Sequence, residues 1–95
     1  MLFVIHAIDK LGTGVLRQSV YAAHRDYIDK VAQYGVRIII SGPLLADDGK
    51  TVIGSHLVIE AKDHAVAEAF HHADPFFKAG LWDQSGPIVF DKKVG

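Results

Sequence analysis

The stretch RIIISGPLLADDGKTVIGSHLVIE, residues 37–60, decides the fold, because it places two apolar strands on either side of a turn. The β-branched run at 37–41 predicts one strand, which the Gly-Pro pair at 42–43 is expected to end. The DDGK segment at 47–50 predicts a hairpin turn, and residues 51–60 return as the next strand. The middle of the chain is therefore predicted to form an antiparallel hairpin.

On both sides of this hairpin the apolar spacing changes to that of a helix. From Val15 to about Tyr34 apolar residues recur every three or four positions, which predicts an amphipathic helix of about five turns that ends at Gly35. A shorter helix follows the hairpin, because Asp63 is a good N-cap and the proline after Asp74 ends it. The predicted apolar stripes consist of Leu16, Val20, Ala23, Tyr27, Val31 and Tyr34 in the first helix and of Val66, Ala69, Phe70 and Ala73 in the second.

The ends of the sequence supply two further strands. Residues 2–8, LFVIHAI, predict the first strand. Pro75 can start one more helical turn, which Gly80 closes. Residues 83–90 predict a last strand, which Pro87 confines to a sheet edge or a bulge. The order β-α-β-β-α-β predicts an α+β fold of the ferredoxin-like type, a four-stranded antiparallel sheet with both helices on one face.

The predicted strands are apolar on both faces. Phe3, Ile5 and Ala7 alternate with Leu2, Val4, His6 and Ile8 in the first strand, and Ile53, Leu57 and Ile59 alternate with Val52, His56 and Val58 in the third. Two helices cover only one face, and a sheet face in contact with water alternates apolar with polar residues. We therefore expect a second copy of the chain to cover the other face, which gives a homodimer.

Composition limits the classes of function. Ninety-five residues make one domain, 1–95, and 49% hydrophobic with 22% charged residues argues against disorder. No run approaches the roughly 20 apolar residues of a membrane span. Ten scattered basic residues against eleven acidic ones give no nucleic-acid footprint. Without cysteine, a ligand-spaced histidine pair or a phosphate-binding glycine loop, we expect no metal and no organic cofactor. Ser55 has no G-x-S-x-G elbow around it, so we do not expect a serine nucleophile. The N-terminus lacks the pattern of a signal peptide, so the cytoplasm is the expected location.

His24 and Asp74 are the residues best suited to acid–base chemistry. His24 lies at the border of the first apolar stripe, two turns after Arg17, where it fits a pocket edge or an ordinary boundary position. Asp74 is either the N-cap of the turn at Pro75 or a carboxylate that orients and charges a histidine. A carboxylate has enough lone pairs for both roles. Antiparallel packing of the two helices would bring the end of the second beside the earlier half of the first.

The other histidines have less specific interpretations. His71 and His72 close the second helix, as a solvated end or, with Asp74, as a metal site. Adjacent helical residues point about 100° apart, which disfavours the metal site. We expect His6 and His56 in the sheet interface or the core, and His64 exposed in the first turn of the second helix.

Short motifs follow one another along nearly the whole chain: Arg17 with His24, Gly35, Gly42-Pro43-Leu44, Gly54-Ser55, Asp74-Pro75-Phe76 and Ala79-Gly80. In this order and spacing they resemble the motifs of the YCII-related family of small dimeric proteins. The resemblance implies a ferredoxin-like fold of the dimeric α/β barrel type, with the two sheets packed together. It also implies a catalytic dyad of His24 and Asp74, in a pocket lined by Arg17, Pro43, Ser55 and Phe76.

The resemblance also suggests a chemistry, since the best-understood branch of the family resembles a cofactor-free dehydrochlorinase of chlorinated hydroxyhydroquinones. The first hypothesis is a small cofactor-independent lyase or isomerase that acts on a hydroxylated or chlorinated aromatic or related ring compound. His24 would be the general base, Asp74 would hold its tautomer, and Arg17 or Ser55 would bind substrate oxygens. The alternative is a non-catalytic module that binds a small molecule or a partner and uses the dyad only structurally.

Overall fold

The computed structural model describes all 95 residues, Met1–Gly95. The elements are β1 (Leu2–Ile8), α1 (Gly14–Asp29), a 3₁₀ helix (Val31–Tyr34), β2 (Val36–Leu45), β3 (Val52–Ala61), α2 (His64–Ala73), α3 (Pro75–Lys78) and β4 (Ile88–Phe90). The strands form one antiparallel sheet in the order β2-β3-β1-β4. The predicted ferredoxin-like fold is confirmed. No helix is both long enough and apolar enough to cross a membrane.

The core lies between the helices and one face of the sheet. Strands β1 and β3 contribute Phe3, Ile5, Ala7, Leu57 and Ile59, and the helices contribute Tyr27, Ile28, Ala67, Phe70 and Phe76. The hydroxyl of Tyr27 donates a hydrogen bond to the carbonyl of Phe70 at 2.9 Å, which ties α1 to α2. Burial, followed by the nearby Tyr34 and Asp74, raises the pKa of Tyr27, so this phenol stays a neutral donor.

The first helix is shorter than predicted. It ends at Asp29, and a separate 3₁₀ helix follows as far as Tyr34. The prediction of one continuous helix from Val15 to Tyr34 is therefore wrong. The N–H of Lys30 bonds the carbonyl of Tyr27 and Gln33 bonds Lys30, both three residues back, so the chain tightens before it turns into β2. Gly35 closes this turn in the left-handed region, with a φ of 72°, as its position predicted. Ala23, assigned to the apolar stripe, is exposed.

Strand β2 is longer than predicted, because it runs through Gly42 and Pro43 to Leu45 instead of stopping at the Gly-Pro pair. Pro43 pairs with Ser55, and its missing N–H is tolerated because β2 is an edge strand. Strand β4 is shorter than the predicted 83–90 and begins only after Pro87.

The turn between β2 and β3 forms as predicted. The carboxylate of Asp48 accepts a hydrogen bond from the Thr51 hydroxyl and further bonds from the backbone N–H groups of Thr51 and Lys50. These bonds favour the ionised carboxylate, and they lower the pKa of Asp48 to about 2.

Helix α2 begins as predicted, since the Asp63 side chain accepts the N–H of Val66 at 2.9 Å. Its buried side differs from the predicted stripe, because Ala69 is exposed while Ala67 and His71 are buried. The rotation has a tertiary cause: the segment after α3 folds back over the end of α2 and covers the His71 side.

The sheet face opposite the helices is open and largely apolar. Its side chains include Leu2, Val4, Ile8, Ile40, Leu44, Val58, Ile88 and Phe90. Ile40 is 61% exposed and Ile88 67% exposed. His6 and His56 face each other in the middle of this surface, with their Nδ1 atoms 3.0 Å apart. The second apolar face is thus present as predicted, and the homodimer that would cover it stays a prediction.

Candidate active site

His24 on α1 meets Asp74 at the junction of α2 and α3. The Nδ1 atom of His24 lies 2.8 Å from Oδ1 of Asp74, and the same oxygen accepts the N–H of Phe76 at 2.9 Å. Asp74 precedes a proline, which holds its backbone extended (φ −62°, ψ 128°) and places its carboxylate over the start of α3. The helix cap and the contact with histidine therefore exist at the same time.

The arrangement fixes which nitrogen of His24 carries a proton. A carboxylate only accepts hydrogen bonds, so Nδ1 is the donor and Nε2 is the nitrogen left to take a proton. The His24 ring also stacks on Phe76, with 4.0 Å between the ring centroids and 15° between the planes. Asp74 is only 1% exposed, so its charge is poorly screened by water. His24 is thus oriented as a general base would need to be.

Arg17, two turns before His24 on α1, is held by three hydrogen bonds. Its Nε donates to Oδ2 of Asp9 at 2.7 Å, and its Nη2 donates to Oδ1 of Asp9 at 3.0 Å and to the Ser55 hydroxyl at 2.8 Å. The guanidinium carbon lies 4.7 Å from the centroid of Phe76. The Phe76 ring thus supports both Arg17 and His24, which fixes their spacing.

A pocket of about 520 Å³ opens between α1 and the strands β2 and β3. It is lined by Arg17, Gln18, Tyr21, His24, Arg25, Ile28, Ser41, Gly42, Pro43, Val52, Ser55 and Leu57. Four of the six predicted site residues therefore lie on its wall: Arg17, His24, Pro43 and Ser55. The other two do not line it, because Asp74 and Phe76 are buried behind His24.

Several residues of this region were not predicted from the sequence. Asp9, which binds Arg17, is one of them, and Gln18 and Arg25 on the pocket wall are others. Asp9 follows directly after β1, and its N–H bonds the carbonyl of Ile53. An isolated aspartate at the end of a strand carries no signal of its own; only the packing of α1 against the sheet brings Arg17 to it.

The end of α2 differs from its prediction. His71 is not solvated: it is 1% exposed, its Nε2 lies 2.8 Å from the Ser85 hydroxyl, and its ring stacks on Trp82. Burial lowers the pKa of His71, although the charge of Asp74 acts in the opposite direction. His72 is exposed and pairs with Glu68 at 3.0 Å. No cluster of three or more His, Asp or Glu side chains is arranged to hold a metal ion.

Comparison with known proteins gives consistent matches over nearly the whole chain. The model of the YCII-related domain matches residues 1–88. Protein YciI of Escherichia coli and of Shigella flexneri are each 31% identical over 97 aligned positions, which cover 97% of this chain and 98% of the relative. A solved structure of 5-chloro-2-hydroxyhydroquinone dehydrochlorinase from Burkholderia phenoliruptrix, in complex with 2,5-dihydroxybenzoquinone, superposes with a TM-score of 0.84. That enzyme is 32% identical, with 98% of this chain and 96% of the other covered.

Proposed function

The chain belongs to the YCII-related family, and on that premise we propose that it is a cofactor-independent lyase of the dehydrochlorinase type, acting on a hydroxylated or chlorinated aromatic ring. The observation that carries the proposal is the 2.8 Å contact between His24 and Asp74 beside the pocket. The similarity to a dehydrochlorinase at 32% identity supports this reaction class.

In the proposed reaction His24 acts as the base. Its Nε2 takes the proton of the hydroxyl next to the carbon that bears chlorine and returns it to that carbon, so that the oxygen becomes a carbonyl and His24 is again neutral. The hydroxyl para to this carbonyl then loses its proton. Its electron pair moves through the ring and chloride leaves with the C–Cl pair. The net loss is one proton and one chloride, so no oxidant or reductant is consumed.

Asp74 and Arg17 support the two charges that develop. The carboxylate of Asp74 holds the tautomer of His24 and stabilises the imidazolium, as the aspartate does in a catalytic triad. Arg17 lies on the same pocket wall and can donate to a ring oxygen as negative charge builds on it. Ser55 contacts Arg17 and holds it against the sheet.

One observation favours the alternative, a binding module with a structural dyad. The oxygen of Asp74 that meets His24 also caps α3 through the N–H of Phe76. An N-cap contributes about 1 kcal/mol to stability without any catalytic role. In that case the pocket binds a ring compound and releases it unchanged.

The direct test incubates the protein with 5-chloro-2-hydroxyhydroquinone without oxygen and measures chloride release together with quinone absorbance. We expect one chloride per quinone at a rate well above that of the reaction without protein. His24→Gln serves as the matched control, because it keeps a polar side chain of similar reach but no base. Saturable binding of the compound without chloride release would contradict the lyase and support the binding module.

A further inference from the structure

An arginine carries five N–H donors, and three of those of Arg17 are already bound by other side chains of the protein. Nε and one N–H of Nη2 bind the two oxygens of Asp9, and the other N–H of Nη2 binds the hydroxyl of Ser55. None of these bonds involves Nη1. The two N–H groups of Nη1 are therefore the donors that remain for a ligand.

This matters because arginine recognises a carboxylate through two parallel N–H bonds along one edge of the guanidinium. The edge formed by Nε and Nη2 is filled by Asp9. The edge formed by Nη1 and Nη2 is incomplete, since Ser55 holds the Nη2 donor. Only single-point donation from Nη1 is left, which suits one hydroxyl or carbonyl oxygen on a ring.

The charges around Arg17 also disfavour the binding of a carboxylate. The Asp9 side chain is 8% exposed and neutralises Arg17 at close range. The second arginine of the pocket, Arg25, is paired with Asp29 at 3.1 Å. A carboxylate at Arg17 would lose water and meet a guanidinium whose charge the buried Asp9 already balances, which is unfavourable. The Arg25–Asp29 pair is exposed to solvent and makes one hydrogen bond, so the selection is assigned to Arg17.

We propose that Asp9 and Ser55 set the specificity of the pocket: by occupying both edges of Arg17 they select ring compounds with single hydroxyl or carbonyl oxygens and reject ring carboxylates. This inference rests on the proposed function only in taking the pocket as the substrate site. Asp9 is a positioning residue, since it acts through Arg17.

Hydroquinone and 4-hydroxybenzoate test the inference, because they share a ring and one hydroxyl and differ in hydroxyl against carboxylate at the para position. Their dissociation constants are measured by NMR titration for the wild type and for three variants. Asp9→Asn exposes the charge of Arg17, and Ser55→Ala frees the Nη2 donor. Asp26→Asn is the matched control, because it removes the same charge from an exposed pair with Lys30 outside the pocket.

We expect the wild type to favour hydroquinone by about tenfold, the equivalent of one charged hydrogen bond. Asp9→Asn and Ser55→Ala should each shift the ratio toward 4-hydroxybenzoate by about tenfold, and Asp26→Asn should leave it unchanged. If Asp9 has only a structural role, Asp9→Asn should weaken the binding of both probes equally and leave the ratio of their dissociation constants unchanged. That result would overturn the proposal.

If Asp9→Asn does not fold, as a thermal melt would reveal, the ratio for Ser55→Ala decides alone. The inference is overturned if the wild type binds both probes equally. It is also overturned if neither probe shifts the NMR resonances of His24, because then neither binds in the pocket. The lyase is judged separately by chloride release, so the two proposals can fail independently.

Discussion

The Oδ1 atom of Asp74 accepts two hydrogen bonds, from Nδ1 of His24 at 2.8 Å and from the N–H of Phe76 at 2.9 Å. One oxygen thus joins the candidate dyad to the cap of α3. An asparagine in place of Asp74 can keep a carbonyl oxygen for both bonds while the negative charge disappears. The structural and the catalytic roles of Asp74 can therefore be separated by one substitution.

The substitution His24→Ala tests whether His24 is the general base. If His24 takes the substrate proton, chloride release should fall by roughly 10²–10⁴-fold, the usual contribution of a positioned general base. The protein should still fold, because His24 is not part of the buried core and Asp74 keeps its hydrogen bond from the N–H of Phe76, although the melting temperature should fall as the contact with His24 is lost. His72→Ala is the matched control, as His72 is exposed and lies outside the pocket. Equal rates for His24→Ala and the wild type would remove His24 from the mechanism.

The open sheet face predicts the oligomeric state. Val58 lies on this face opposite Val4, and Val58→Asp would bury an unpaired charge in the proposed dimer. We expect the wild type to sediment as a dimer at micromolar concentration and Val58→Asp to give monomer or aggregate. Val94→Asp, at a position that is 92% exposed, should stay dimeric. A monomeric wild type would refute the dimer.

His71 predicts a pH dependence of stability. Burial lowers its pKa in the folded protein below the ordinary value of about 6.5, so the unfolded chain takes up a proton at higher pH than the folded one. Stability should therefore fall as the pH is lowered through about 6.5 toward the folded-state pKa. In melts between about pH 7.5 and about pH 5.5, roughly 1 unit on either side of that value, His71→Gln should show a flatter dependence. His72→Gln should change the slope less than His71→Gln does, since the charge of His72 only adds to the lowering that burial causes. Identical slopes for all three proteins would contradict this prediction.

We predict that activity needs no metal ion. The chain has no cysteine, and no three donor side chains converge. Dialysis against a chelator should leave the rate of chloride release and the melting temperature unchanged. The elemental content of untagged protein provides the independent check, because a stoichiometric metal there would contradict the prediction.

Local signals predicted most of the fold correctly. The caps at Asp63 and Asp74 and the turn at Gly35 follow from short-range backbone preferences, so they are legible in the sequence. The end of β2 was misjudged because the tolerance of Pro43 depends on its place at the sheet edge, a property of the whole topology.

The candidate site was predictable only in part. His24 and Asp74 were singled out because an Asp-Pro junction and a border histidine are visible along the chain. Asp9 was missed, since its partner Arg17 becomes a neighbour only when β1 and α1 pack. The burial of His71 was missed for a similar reason, because Ser85 and Trp82, which cover it, come from the segment after α3.

The most direct test of the account is a double-mutant cycle on chloride release with His24→Ala, Asp74→Asn and the double variant. If Asp74 acts through His24, Asp74→Asn should lower the rate with a nearly unchanged melting temperature. The double variant should then lose much less than the sum of the two single losses. Full additivity, or an unchanged rate in Asp74→Asn, would mean that Asp74 only caps α3, and would contradict the dyad.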